Sequence, residues 1–114
     1  MNEFNHPKRL EFDVERRKYP RAAVESEVAM EFSGQEYVLV AKEISAGGLR
    51  TSPHDEIPES SEGIITLTVG DDRKPVSCRC RVIYSIDGRG IGVEFLDLSD
   101  ASRQVLIDFV DESN

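Results

Sequence analysis

From Val24 to Phe32 the chain alternates apolar and polar positions with a period of two, which is typical of a β-strand with one solvent-exposed face. The positions predicted to face inward are mostly apolar: Val24, Ser26, Val28, Met30 and Phe32. The positions between them are mainly glutamate, which predicts that the other face is wet. A turn at residues 33–35 leads into an apolar, β-branched run over residues 37–44, so the two runs are predicted to pair as a hairpin.

The same alternation returns in the second half of the chain. Further strands are predicted over residues 49–52, 64–69, 76–85 and 91–95, separated by stretches rich in glycine, proline and charge. In the longest of these strands the positions predicted to face inward are Val76, Cys78, Cys80, Val82 and Tyr84.

The chain closes on one amphipathic helix, which Ser99 or Asp100 can cap. Its apolar stripe is predicted to comprise Ala101, Val105, Leu106, Phe109 and Val110. About six short strands followed by one helix indicate a mainly β fold class, a small antiparallel barrel with a C-terminal α-helix.

The first 22 or so residues show neither the strand period nor the helix period, and they are rich in charge. They are therefore predicted to form a mobile N-terminal arm. The arm contains a basic cluster between Glu15 and Arg21, with four cations in seven positions.

Length and charge restrict the classes of partner. The chain has 114 residues, which fits one domain, and a formal net charge of −8, so most of its surface would repel nucleic acid or an anionic membrane. No apolar run reaches the roughly 20 residues that span a bilayer, and the start of the chain lacks the apolar stretch of a signal peptide. A cytoplasmic location without membrane insertion is the expectation.

No set of residues predicts catalysis or metal binding. Cys78 and Cys80 lie two apart on one strand, where a disulfide would be strained, and they are predicted to be reduced core residues. His6 and His54 lack the companion ligands that zinc needs. Since no nucleophile lies beside a plausible base, we expect a binding protein rather than an enzyme, with no cofactor.

Two short elements offer binding chemistry. Arginines of the basic cluster can present planar donor forks to phosphate or to the O6 and N7 edge of guanine. In the segment from Glu43 to Gly48, Glu43 and Ser45 share a strand face before a glycine turn. The carboxylate can accept from the N1 and N2 donors of guanine, Ser45 can donate to an oxygen, and Gly48 allows a positive φ or a close approach to a ligand. Each element alone also fits a simpler interpretation. The basic cluster can be a solvated charge run, and the segment from Glu43 to Gly48 can be a turn that its serine stabilises.

Together the two elements resemble the motifs of a known family. The stretch Arg16-Arg17-Lys18-Tyr19-Pro20-Arg21 is similar to the RRxxxR motif of the PilZ domain, and the stretch from Glu43 to Gly48 is similar to its [D/N]xSxxG motif. The stretch Gly90-Ile91-Gly92-Val93-Glu94-Phe95, with the helix after it, resembles the closing strand and terminal helix of that family.

The resemblance covers about residues 15–110 and implies a six-stranded antiparallel barrel, with residues 1–14 as a flexible arm and 15–114 as the domain. It implies binding of the bacterial second messenger cyclic di-GMP, and the residues it marks for that ligand are Arg16, Arg17, Arg21, Glu43, Ser45 and Gly48.

The residue that departs from the motif is Glu43, which stands where the family usually has Asp or Asn. Its extra methylene moves the acceptor oxygens outward by about one bond length, so ligand geometry changes. The rival interpretation is therefore a PilZ-like scaffold that binds no nucleotide. A barrel that binds single-stranded RNA is a third interpretation, but the chain lacks the basic stripe and surface aromatics of such folds.

Three further residues are weaker candidates. Arg79 and Arg81 share the outer face of one strand and can meet phosphate, although cross-strand pairing with surface acids is the simpler interpretation. Tyr84 can offer a platform for a base, although the alternation predicts that it faces the core.

Overall fold

A computed structural model of the chain describes residues 19–54 and 56–113. Its strands and helix are β1 (Arg21–Phe32), β2 (Gln35–Ser45), β3 (Gly48–Thr51), β4 (Glu62–Val69), β5 (Lys74–Ile86), β6 (Gly90–Phe95) and α1 (Asp100–Ser113). The predicted flexible arm, residues 1–14, and two of the predicted ligand-binding arginines, Arg16 and Arg17, lie outside the described residues.

The strands close into a barrel in the order β1-β2-β3-β6-β5-β4, and every neighbouring pair is antiparallel. The predicted fold class, a six-stranded antiparallel barrel with a C-terminal helix, is confirmed. Closure pairs β1 with β4 over residues 29–31, so neither strand is a free sheet edge over that stretch.

The barrel interior is filled by the apolar positions of the alternating strands. Met30, Ile65, Cys80 and Ile91 have no exposed surface, and Leu106 of α1 is equally buried. Helix α1 begins where predicted, because Ser99 Oγ accepts the backbone N–H of Ser102 at 3.1 Å and thereby caps the first turn. Ala101, predicted to lie on the apolar stripe, is exposed.

The predicted cysteine environment is confirmed, because Cys78 and Cys80 are both buried and unpaired. Desolvation by burial is the main cause that raises the pKa of each thiol, from 9.0 to about 11. Both side chains are therefore neutral thiols at physiological pH.

The strand β1 begins earlier than the alternation predicts and contains a bulge. It starts at Arg21, and Ala22 is already buried, so the mobile arm does not extend to residue 22. Between Ala23 and Ser26 the register with β2 shifts, and Ser26 is exposed although period two places it inward. Ala22 and Val28, on either side of this irregularity, are both buried, so the inward-facing period is interrupted only locally, around Ser26, which sequence period alone cannot show.

A second irregularity changes the position of Tyr84. The register between β5 and β6 shifts between Val82 and Tyr84, and Tyr84 pairs with Gly92. Since the neighbours Ile91 and Val93 are buried in the barrel, Gly92 faces outward, and the Tyr84 ring covers it so closely that a Cβ there would overlap the ring. The prediction that Tyr84 faces the core is wrong.

Within the described residues, no helix combines the length and the apolar character needed to cross a bilayer.

Candidate functional site

A cavity of about 290 Å³ lies where β2 turns into β3. It is walled by residues of β1, β2, β3, β5, β6 and α1, with additional contributions from Tyr19 and from the turn before β3. Four of the six predicted ligand-binding residues line it together: Arg21, Glu43, Ser45 and Gly48. The pairing of β1 with β2 brings Arg21 beside this turn, because Arg21 is the register partner of Ser45.

Arg21 and Glu43 form an ion pair on the cavity wall. Arg21 Nη1 lies 3.5 Å from Glu43 Oε1, and the two side chains are 40% and 36% exposed. Glu43 pairs with Ala23, so it stands on the same outward face as Arg21, one diagonal step away. Water screens a pair with this exposure, and such pairs typically contribute about 1 kcal/mol or less. The ion pair with Glu43 by itself therefore contributes little to holding the guanidinium.

The hydroxyl of Ser45 is used inside the turn. Ser45 is buried, its Oγ accepts the backbone N–H of Gly47 at 3.1 Å, and it donates to the carbonyl oxygen of Gly48 at 3.4 Å. This is the geometry in which a serine stabilises a turn. The hydroxyl of Ser45 therefore has the role that the simpler interpretation gives it, stabilising the turn before β3. Its predicted contact with an oxygen of a ligand remains a prediction.

Gly48 is required by strand packing and not by an unusual φ. Its φ is not in the positive region, which in the described glycines is found at Gly34, Gly70, Gly88 and Gly90. A Cβ on Gly48 would overlap the carbonyl oxygen of Val93 on β6 and lie 3.1 Å from its carbonyl carbon. Of the two alternatives for Gly48, the positive φ is not found, and the close approach that the structure shows is to β6.

The adjacent Gly47 serves the packing of the chain before β1. A Cβ there would lie 3.2 Å from a ring carbon of Tyr19, and Tyr19 packs against the core. The carbonyl oxygen of Gly47 also accepts the N–H of Phe95 at 3.0 Å. The turn is thus held between the Tyr19 ring and β6.

Sequence reasoning missed two arginines of the cavity wall. Arg50 follows Gly48 by two positions on β3 and pairs with Glu43 on one side and Gly92 on the other. Period two along β3 was the available signal for it. Arg103 comes from α1, where only the tertiary fold brings it to the cavity.

Arg50 and Arg103 both have donors to offer. Among the described residues no carboxylate oxygen lies within 4.0 Å of the Arg50 guanidinium. Arg103 Nη1 contacts Asp100 at 3.3 Å, but its Nε is buried with no hydrogen-bond partner. A ligand with several acceptor oxygens suits such a wall.

The weaker candidates divide. Arg81 forms cross-strand ion pairs, with Nε 3.2 Å from Glu62 and Nη1 3.9 Å from Glu94, so the simpler interpretation is confirmed for it. Tyr84 lies on the outer face, where its ring covers Gly92, the register partner of Arg50. In this position the ring is partly accessible to solvent. In residues 19–54 and 56–113, no group of His, Cys, Asp and Glu side chains is arranged to hold a metal ion.

Comparison with known proteins yields a family and a fold. The chain matches the family described as PilZ domain over residues 15–112. Its structure is similar to that of the Bacillus subtilis inhibitor of motility, MotI/DgrA, with a TM-score of 0.73 and 15% sequence identity. The match covers 85% of this chain and 50% of that protein, so the chain spans about half of the length of its structural neighbour. No curated protein matches the sequence.

Proposed function

Because this chain belongs to the PilZ domain family, whose members are binding modules and generally receptors for cyclic di-GMP, we propose that it is a receptor for this nucleotide without catalytic activity. One observation carries the proposal, the convergence of Arg21, Glu43, Ser45 and Gly48 on a single cavity. These residues come from both family motifs, which are more than twenty positions apart in the sequence.

The charge of the cavity wall supports an anionic ligand. The wall contains three arginines and two glutamates: Arg21, Arg50, Arg103, Glu43 and Glu94. Their net charge is +1, whereas the whole chain carries a net charge of −8. A cationic recess in an acidic protein concentrates small anions locally and still repels long polyanions. Cyclic di-GMP, with two phosphates and two guanines, is a small anion of this kind.

The proposed contacts follow from donor and acceptor geometry. Arg21 presents its guanidinium fork to a phosphate or to the O6 and N7 edge of guanine, and Glu43 accepts from the N1 and N2 donors. The cavity volume of about 290 Å³ lies just below the range for small-molecule sites, about 300–1,000 Å³. We therefore assign Arg16 and Arg17, outside the described residues, to the part of the ligand that the described walls do not enclose.

The proposed relay is ordering of the N-terminal arm on the ligand, which changes the surface that a partner protein recognises. The partner is proposed to belong to the motility, pilus, chemotaxis or biofilm machinery. In the proposal, Arg21 exchanges its screened ion pair with Glu43 for the ligand, and an exposed pair of this kind contributes little interaction energy to the free protein.

A scaffold that binds no nucleotide is the second candidate, and the ion pair itself favours it. Arg21 already has a carboxylate partner at 3.5 Å, and Glu43 reaches it with a side chain one methylene longer than the Asp of the family motif. In this alternative Glu43 neutralises the arginine permanently, and the barrel acts only through protein contacts.

Titration calorimetry with cyclic di-GMP tests the receptor. Arg17→Ala and Arg21→Ala are each expected to lose well over about 1.5 kcal/mol of binding free energy, the contribution of a charged hydrogen bond. Arg89→Ala is the matched control, because Arg89 is an exposed arginine that does not line the cavity, and it should bind as the parent does. Unchanged affinity in both site variants would rule out the arginine clamp.

Glu43→Asp separates the two candidates. A large gain in affinity would mean that the native side chain hinders binding, and an unchanged measurable affinity would mean that Glu43 already serves as the acceptor. No binding by either form at high micromolar nucleotide would support the scaffold. A thermal-shift comparison of cyclic di-GMP with cyclic di-AMP and GTP reports the base preference, since a ligand that binds only the folded state raises its melting temperature.

A further inference from the structure

An exposed apolar patch with an acidic border lies on the outer face of β1, β2 and β4. Val38 is 60% exposed and Ile64 is 47% exposed, two of the three large apolar side chains that are exposed in the described part of the chain. Val38 pairs with Ala29 of β1, and Ile64 pairs with Glu31 two positions along the same strand. The two apolar side chains therefore stand on either side of β1, two strand spacings apart and two residues offset, which separates them by about 12 Å.

Glutamates surround this patch. We call it the Val38 face and define it by its outward-facing residues Glu27, Ala29, Glu31, Glu36, Val38 and Ile64. In residues 19–54 and 56–113 no Lys, Arg or His nitrogen lies within 4.0 Å of the three carboxylates. Arg79 pairs with Ile64 from β5, at the edge of the face and three strands away from Glu36.

Two of these glutamates are placed unfavourably for the isolated chain. Glu31 is the direct cross-strand partner of Glu36 on one face, and like charges in this position destabilise a sheet. By contrast, Glu25 on the same strand has a cation, with its Oε2 2.8 Å from Lys42 Nζ. A cationic group placed over Glu31 and Glu36 would relieve their repulsion, and the apolar side chains beside them would gain by losing contact with water.

We propose that the Val38 face is the docking surface for a cationic amphipathic segment of a partner protein, with apolar side chains over Val38 and Ile64 and Lys or Arg over the glutamates. Charge complementarity selects this occupant. A second copy of the chain would place glutamates against glutamates, and nucleic acid or an anionic membrane would be repelled by the same border.

The inference rests on the partner-binding part of the proposed function but not on its nucleotide site. None of the six residues of the Val38 face lines the cavity. Substitutions on this face should therefore leave the titration with cyclic di-GMP unchanged. The docking surface and the nucleotide site can thus fail separately.

The probe is a fluorescently labelled amphipathic peptide of leucine and lysine. Its binding is measured by fluorescence anisotropy as the full chain is added, in the absence of nucleotide. We expect E31Q/E36Q to weaken its binding by roughly fivefold, as the loss of two exposed charge pairs requires. The matched control D71N/D72N removes the same charge from the β4–β5 turn and should change the affinity by less than about twofold. Val38→Ser should weaken binding, and Ile86→Ser, at an exposed residue outside the face, should not.

Amide shifts in two-dimensional NMR spectra locate the peptide, and we expect them to be largest around Ala29, Val38 and Ile64. Equal weakening by E31Q/E36Q and D71N/D72N would overturn the proposal, because binding would then follow net charge alone. Equal binding of a companion peptide with glutamate in place of lysine would overturn it as well. Concentration-dependent shifts of the Val38 amide without peptide would assign the face to a second copy and overturn the cationic partner.

Discussion

Replacing Gly48 by alanine tests what the second motif does in this protein. The added Cβ would overlap the Val93 carbonyl oxygen and lie 3.2 Å from the Cα of Glu94, so backbone atoms of β6 must move. Backbone in this place is held by the pairing of β3 with β6 and by the bond from Phe95 N–H to Gly47 O at 3.0 Å. Gly47→Ala is the matched control, since the atoms nearest to its Cβ belong to side chains, the closest being a ring carbon of Tyr19 at 3.2 Å, and a side chain can turn aside.

We expect Gly48→Ala to lower the free energy of unfolding by about 3 kcal/mol, at the upper end for an overpacked site, because relief of the overlap breaks strand pairing. For a domain of this size that corresponds to a fall in melting temperature of roughly 10 °C. Gly47→Ala should cost about 1 kcal/mol. Urea denaturation followed by circular dichroism measures both.

The refuting result is a Gly48→Ala protein as stable as the parent, or a larger loss for Gly47→Ala. Either outcome would mean that β3 and β6 do not approach as closely as the structure has them. If the expected loss is found, weak nucleotide binding by Gly48→Ala reports damage to the barrel. It would then say nothing about contact between this glycine and the ligand.

Two further predictions concern the cavity wall and the core. Arg50→Ala should weaken binding of cyclic di-GMP by roughly tenfold. It should not lower the melting temperature, because the substitution breaks no ion pair with a described residue. Calorimetry showing unchanged affinity would remove Arg50 from the site. Because the pKa values of Cys78 and Cys80 are raised in the folded chain, the unfolded chain loses these thiol protons at lower pH than the folded chain does. The contribution of the two thiols to the free energy of unfolding is therefore complete below about pH 9 and declines between pH 9 and about 11. Urea midpoints across this range should fall more steeply for the parent than for the Cys78→Ala/Cys80→Ala double variant, and parallel curves would contradict the assignment.

Local pattern was sufficient to predict the number of strands, their order along the chain and the terminal helix. Period-two runs such as Val28, Met30 and Phe32 indicate which side chains are buried. Ser99, followed by an apolar stripe of helical spacing, indicates where the helix begins. Strand direction and barrel closure followed because short turns join antiparallel neighbours and closure leaves no edge.

The resemblance to the family motifs also marked which residues would meet. Arg21 and the segment from Glu43 to Ser45 lie at the ends of β1 and β2, and hairpin pairing places such ends side by side. The resemblance marked Arg21, Glu43, Ser45 and Gly48 as one group, and the hairpin is the physical reason why they meet. Their chemical use was less predictable, since the Ser45 hydroxyl bonds within its own turn and Gly48 makes room for β6.

Tertiary structure alone decided the features that depend on distant parts of the chain. The irregularity in β1 leaves Ser26 exposed and the one in β5 places Tyr84 on the outer face, and such irregularities arise from register with the neighbouring strand. Arg103 reaches the cavity only because α1 packs back on the barrel, and Gly48 is constrained by Val93, which lies more than forty positions later. A sequence reports the environment of each residue relative to its near neighbours, whereas contacts between distant segments are set by how the closed barrel aligns them.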